Sequence, residues 1–148
     1  MIKKFFKKIF GIRDNEISFR QSYDLTELAV ITFYQGETRL NLLFDSGSNL
    51  NIIDKGILPK LEYELTEDKI DMQGLEGVTR EQQDECVIKI THKDVTYECP
   101  FTISDLANPF SSIKKESGVT LHGIIGTVFF NKYKYVLDFD KLVAYSKL

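Results

Sequence analysis

The sequence predicts one mainly β domain, and three observations carry that reading. A chain of 148 residues with 43% hydrophobic and 28% charged side chains has globular composition and a one-domain length. Residues 42–53 run as an apolar strand, a tight polar turn and a second apolar strand. Residues 84–103 alternate apolar and polar on both sides of a short polar break, the pattern of a half-buried antiparallel hairpin. A single short helix, residues 127–132, is expected near the C-terminus.

Residues 1–10, Met-Ile-Lys-Lys-Phe-Phe-Lys-Lys-Ile-Phe, form an amphipathic helix pattern. At 100° per residue Lys3, Lys4, Lys7 and Lys8 share one face, and Ile2, Phe5, Phe6, Ile9 and Phe10 share the other. Two readings stay open: an anchor lying on a membrane surface, or a helix docking its aromatic face on the domain or on a partner. Gly11 stops the helix, and the polar stretch from Arg13 to Ser22 reads as a linker. The expected organisation is therefore a basic N-terminal helix and linker at 1–22 and a folded domain at 23–148.

From Leu25 to Tyr34 β-forming residues alternate, so a buried strand is expected there. Gly36-Glu37 turns it into Arg39–Phe44. Ile52 and Ile53 continue the sheet, Pro59 ends the short element that follows, and Leu61 to Glu67 approaches another strand. Gly74 and Gly77 surround a hairpin tip within residues 69–80. In the 84–103 hairpin, taking His92-Lys93 as the loop places Ile90 opposite Val95, Ile88 opposite Tyr97 and Cys86 opposite Cys99. That register makes a cross-strand disulfide geometrically feasible, although buried thiols fit a chain without an export signal better. Residues 104–118 read as a loop with a helical turn that rims a cleft or, the favoured reading, pads the surface. Val119–Ile125 is expected as a strand, Thr127 as the N-cap of the short helix, and 134–139 with 142–146 as a last hairpin over Asp140-Lys141.

The chemistry centres on Leu42-Leu43-Phe44-Asp45-Ser46-Gly47-Ser48-Asn49-Leu50-Asn51-Ile52-Ile53. A carboxylate between two hydrophobic runs is costly unless its hydrogen bonds are met. The turn meets them, because Ser46 and Ser48 both donate and accept and Gly47 permits close approach of a backbone. Taken alone this is also an ordinary Asx-type turn.

A second stretch, Ile124-Ile125-Gly126, is followed by the short helix and by Tyr135-Val136-Leu137-Asp138-Phe139. Together the two stretches resemble the single-domain retropepsin-like aspartic peptidases, the group containing the retroviral proteases. The resemblance spans roughly residues 25–146. It implies a closed antiparallel β-barrel-like acid-protease lobe with a flap hairpin and one short helix near the C-terminus. One departure is clear: the usual Asp after the first motif and Arg after the second motif's Gly are Asn49 and Thr127 here, so their salt bridge is not expected.

The resemblance implies an aspartic endopeptidase in which Asp45, Ser46 and Gly47 form the catalytic loop. Ser48, Asn49, the flap residues Gly74, Leu75 and Gly77, and Ile124 with Ile125 would face substrate, one isoleucine lining a pocket and the other the core. A single Asp-Ser-Gly in one short chain implies a symmetric homodimer that shares two Asp45 carboxylates. Two carboxylates about 3 Å apart hold one proton between them, the charged one activating water and the other polarising the peptide carbonyl. No cofactor or metal is required.

Competing readings are narrower. The rival from another class is a non-catalytic retropepsin-like module for peptide binding or dimerisation, which would not need the intact Asp45. A glycosidase-type pair would need two acids in one cleft of one chain. His122 reads as a loop residue and Asp138 as a strand end. A net charge of −3 gives no reason to expect nucleic acid. Two cysteines make neither a disulfide framework nor a zinc site, and no apolar run approaches membrane-spanning length. The expected partner is a peptide or protein substrate, and the expected location cytoplasmic, with membrane association if residues 1–10 act as an anchor.

Overall fold

A computed structural model describes residues 15–73 and 80–148. Among these residues the strands form two sheets. The larger has the order β2 (Val30–Gln35), β3 (Thr38–Phe44), β8 (Gly123–Ile125), β4 (Ile52–Asp54), β7 (Val95–Ser104), β6 (Arg80–His92) and β5 (Glu64–Gln73). Pairing of Tyr34 in β2 with Thr91 in β6 closes six of these strands into a barrel and leaves β5 outside it. The smaller sheet joins β1 (Ile17–Ser18), β10 (Val143–Ser146) and β9 (Tyr135–Asp138). The predicted mainly β, closed-barrel architecture is therefore observed.

The barrel closes because alternation sends one face of each strand inward. Ile31 and Phe33 of β2, Leu40, Leu42 and Phe44 of β3, and Cys86, Ile88 and Ile90 of β6 are all buried in one core. Phe129, from helix α3 (Thr127–Tyr133), meets Phe44 edge-on at 5.9 Å and Tyr97 at a tilt at 5.4 Å. Burying one such ring is worth about 1.5–3 kcal/mol, so this helix acts as the plug of the barrel.

Several expectations are corrected. The stretch from 13 to 22 is not a linker over its described part. Ile17 pairs with Ala144, Phe19 is 1% exposed, and Arg20–Thr26 form helix α1. Tertiary packing overrides the polar composition: Phe19 meets Phe139 and Tyr23 edge-on at 5.6 and 6.3 Å. Leu25 consequently lies on α1 rather than in a strand, and β2 begins at Val30. The strand expected at 119–125 is limited to Gly123–Ile125.

The 84–103 hairpin exists, but its loop is Lys93-Asp94, with Lys93 at φ +52° and His92 opposite Val95. Cys86 therefore faces Phe101, and Cys99 faces Ile88. A shift of two residues keeps every side chain on its face, so alternation could not distinguish the two registers. Both cysteines are free and buried.

Residues 104–118 are more than a padded loop. Helix α2 (Ala107–Ser117) buries Phe110 with Val30 and Leu121 in a second apolar cluster on the outside of the barrel. Thr127 is not a side-chain cap; Gly126 occupies the N-cap position, and the Thr127 amide is met by the carbonyl of Ser48 at 2.8 Å. The last hairpin lies where expected, with Asp138 Oδ1 accepting the amides of Asp140 and Lys141 at its turn.

Candidate active site

Strand β3 ends at Phe44 and delivers Asp45 into the loop that precedes β4. This loop crosses the end of β8, which lies between β3 (parallel) and β4 (antiparallel). The Asp45 amide donates to Ile125 O at 2.9 Å, extending the ladder by one bond past the last paired residue. The half-buried Asp45 side chain accepts the Gly47 amide through Oδ1 at 2.8 Å, and Ser48 N–H returns to Asp45 O at 3.1 Å. These bonds orient the carboxylate from its own turn. A Cβ on Gly47 would sit 3.1 Å from Asp45 Oδ1, so any larger residue there crowds the group. Ser46, Gly47 and Asn49 are exposed beside it.

The second motif holds this loop from beneath. Ser48 Oγ donates to Leu50 O at 2.7 Å, rounding the bend. A Cβ on Gly126 would fall on Leu50 O and Ser48 O, 2.5 Å from the latter, so only glycine lets the two segments touch. The structure thus brings Asp45, Ser46, Gly47, Ser48 and Gly126 together.

It separates the two isoleucines. Ile125 is 0% exposed in the main core, whereas Ile124 is partly buried against the outer cluster around Phe110. Gly74, Leu75 and Gly77 lie outside the described residues, although the arms leading to them, β5 and β6, pair from Glu64↔Val87 to Gln73↔Arg80.

Sequence reasoning missed Asn51, which is 3% exposed. Its Oδ1 accepts Gly126 N–H and its Nδ2 donates to Pro100 O, both at 3.0 Å. The signal was present: a lone amide between Leu50 and Ile52-Ile53 is a buried polar group that must have partners. Asn49 and Thr127, the positions that lack the charged pair, lie apart from this link: Asn49 is exposed, and Thr127 bonds through its backbone. Asn51 supplies a connection between the two motifs without a charge.

His122 is engaged elsewhere. Its Nδ1 accepts the Asn41 amide at 2.9 Å, which requires that nitrogen to be unprotonated. Burial holds its pKa below the ordinary imidazole value; Asp54 opposes the shift, and Lys60 and Arg39 add to it.

The architecture is that of the retropepsin-like fold. One similar solved structure is the EIAV protease complexed with the inhibitor HBY-793, 13% identical, with a TM-score of 0.50 over 74% of this chain and 91% of that one. Another is the retroviral protease-like domain of Ddi1 from Leishmania major, 14% identical, with a TM-score of 0.51 over 81% of this chain and 88% of that domain. No protein-family model and no curated sequence matches the chain. At such identities the likeness is one of fold.

Proposed function

We propose that the protein is an aspartic endopeptidase whose active unit is a homodimer, with one Asp45 from each copy forming the catalytic pair. The observation that carries this reading is the placement of Asp45: a carboxylate held by the Gly47 amide on an exposed Asp-Ser-Gly loop, at the mouth of a retropepsin-like barrel.

Two such carboxylates facing each other across a two-fold axis share a proton. The ionised one takes a proton from a water molecule as that water attacks the peptide carbonyl carbon, and the protonated one hydrogen-bonds the carbonyl oxygen as it becomes negative. Proton transfer to the leaving nitrogen then breaks the C–N bond and restores the pair. The exposed Ser46 hydroxyls would tie the two loops across the axis. The β5–β6 hairpin, with Gly74, Leu75 and Gly77 in its connection, would close over the peptide. Asn49, exposed on the loop, and Ser48, half-buried with its Oγ on Leu50 O, would meet the substrate backbone.

The test is digestion of a peptide library across a pH series by the wild-type protein and Asp45→Asn, with sedimentation at micromolar concentration. Cleavage by the wild type alone, from a dimer, supports the reading. Equal cleavage by both proteins removes Asp45 as the catalyst, and full activity in a strict monomer removes the shared pair. Absence of cleavage by either would favour a peptide-binding or dimerisation module.

A further inference from the structure

We propose that a groove on the outer face of the β2–β3 ribbon is the docking site of the chain's own N-terminal segment, residues 2–10, seated through Ile2, Phe5, Phe6, Ile9 and Phe10. The inference does not depend on the peptidase reading. The groove has a volume of about 880 Å³ and runs between α1, the outward residues of β2 and β3, and the connection from α2 to β8. Asp45 is not among its lining residues.

The chemistry of the lining says what it can hold. Several of its polar groups satisfy one another: Thr32 Oγ1 donates to Asn41 Oδ1 at 2.9 Å, Asn41 Nδ2 to Thr120 O at 2.8 Å, and Ser22 Oγ to Val30 O at 2.7 Å. The Asn41 amide is taken by His122. Beside the charged Glu16, Arg39 and Lys93 and the buried Nε2 of His92, which has no hydrogen-bond partner among the described residues, the groove offers carbon, with Leu25 57% and Tyr34 42% exposed along it. An apolar occupant gains by covering them.

The position of the chain names the occupant. Glu16, Ile17 and Ser18 line the groove themselves, and Ile17 is fixed by pairing with Ala144. The described chain therefore begins beside the groove, at Asn15, whose Nδ2 donates to Ser146 O at 2.7 Å. Four extended residues span at most roughly 13 Å and nine residues in a helix about 13 Å, which is chain enough for residues 2–10 to lie along a groove that starts at Glu16. Tethering at this distance supplies a millimolar effective concentration.

The exposed carbon sets the orientation. Leu25 and Tyr34 are covered by an apolar face, and aromatic rings can lie over the Arg39 guanidinium that also lines the groove. Seating the aromatic face leaves Lys3, Lys4, Lys7 and Lys8 in water.

The sequence contains no tryptophan, so Phe6→Trp in the full chain reports on this segment alone. The expected result is blue-shifted emission and severalfold weaker acrylamide quenching than in the same chain carrying Leu25→Asp and Tyr34→Asp. The shift should persist on dilution. A nitroxide on Gln21→Cys, with the groove otherwise unaltered and Cys86 and Cys99 buried, should quench the same emission, which keeps the test decisive if the double variant fails to fold. Solvent-like emission in buffer, no response to the groove variants, or no nitroxide quenching overturns the proposal. So does a blue shift that appears only with anionic phosphatidylglycerol vesicles, which would make the segment a membrane anchor, or one lost on dilution, which would make the occupant a second copy.

Discussion

Asn51 Oδ1 accepts the backbone N–H of Gly126 at 3.0 Å, joining two segments 75 residues apart in sequence. The same side chain reaches Pro100 O, and the backbone carbonyl of Asn51 accepts the Thr102 amide at 2.8 Å. One residue thereby connects the loop carrying Asp45, the end of β8 and strand β7. Its neutrality matters. An amide both donates and accepts in a site that closes over it, whereas a lone charge there would need a counter-charge.

Asn51→Leu should be strongly destabilising. It orphans the Gly126 amide and the Pro100 carbonyl, each at a cost of about 1–3 kcal/mol. Asn51→Asp keeps an acceptor for Gly126 but sets a carboxylate against the Pro100 carbonyl, so it too should lower stability. Denaturant titration of both variants checks this, and wild-type midpoints would show that the loop is held by other means.

Gly126→Ala should unfold more easily than the wild type, because the added methyl meets two backbone carbonyls, Leu50 O and Ser48 O, rather than flexible side chains. Overpacking of this kind costs on the order of 1–3 kcal/mol. The displaced loop carries Asp45, so cleavage activity should fall further than stability alone accounts for. Parallel thermal and activity assays separate the two effects.

Asp45→Asn should leave fold and stability near wild type, since an amide oxygen can still accept the Gly47 N–H seen at 2.8 Å. Peptide cleavage should fall by at least roughly 10²–10⁴-fold, the range for loss of a general acid–base group. A metal chelator should change nothing. Retained activity in this variant, or loss of wild-type activity with chelator, would discard the mechanism.

Stability should decline on acidification through His122. Its folded pKa lies below the unfolded value, with burial as the main cause. The unfolded state therefore binds the proton more readily. The stabilising contribution is full above the unfolded pKa of about 6.5 and is lost as pH falls through the folded one. Protonation at Nδ1 would also break the bond from Asn41 N–H. His92, likewise lowered chiefly by burial, adds a slope of the same sign. Unfolding midpoints from pH 7.5 downwards should drop less in His122→Gln than in the wild type, and less again when His92 is also replaced. Parallel wild-type and variant profiles would rule this out.

The cysteines should be inert in the native state. Burial pushes the Cys86 thiol up to about 11 and that of Cys99 to about 12, so almost no thiolate is present near neutrality. Thiol-reactive dye should label them at the rate of unfolding, and label both at once. Rapid labelling under native conditions would contradict the burial.

Alternation in the chain alone placed Cys86, Ile88, Ile90, Tyr97 and Cys99 on one buried face of the β6–β7 hairpin, because a period of two is a local property of side-chain direction. The sequence also marked Asp45-Ser46-Gly47-Ser48 and Ile124-Ile125-Gly126 as the segments to watch, since a carboxylate between apolar runs stands out in the chain alone. Register and partnership were settled by the folded chain. Cys86 opposite Cys99 and Cys86 opposite Phe101 bury the same side chains, and the choice fell to closure of the barrel and the Lys93-Asp94 turn. The same limit hid the packing of Phe19 against Phe139 and the link from Asn51 to Gly126. Each joins residues far apart in sequence, and the energy that selects such contacts exists only once the intervening chain has folded and excluded water between them.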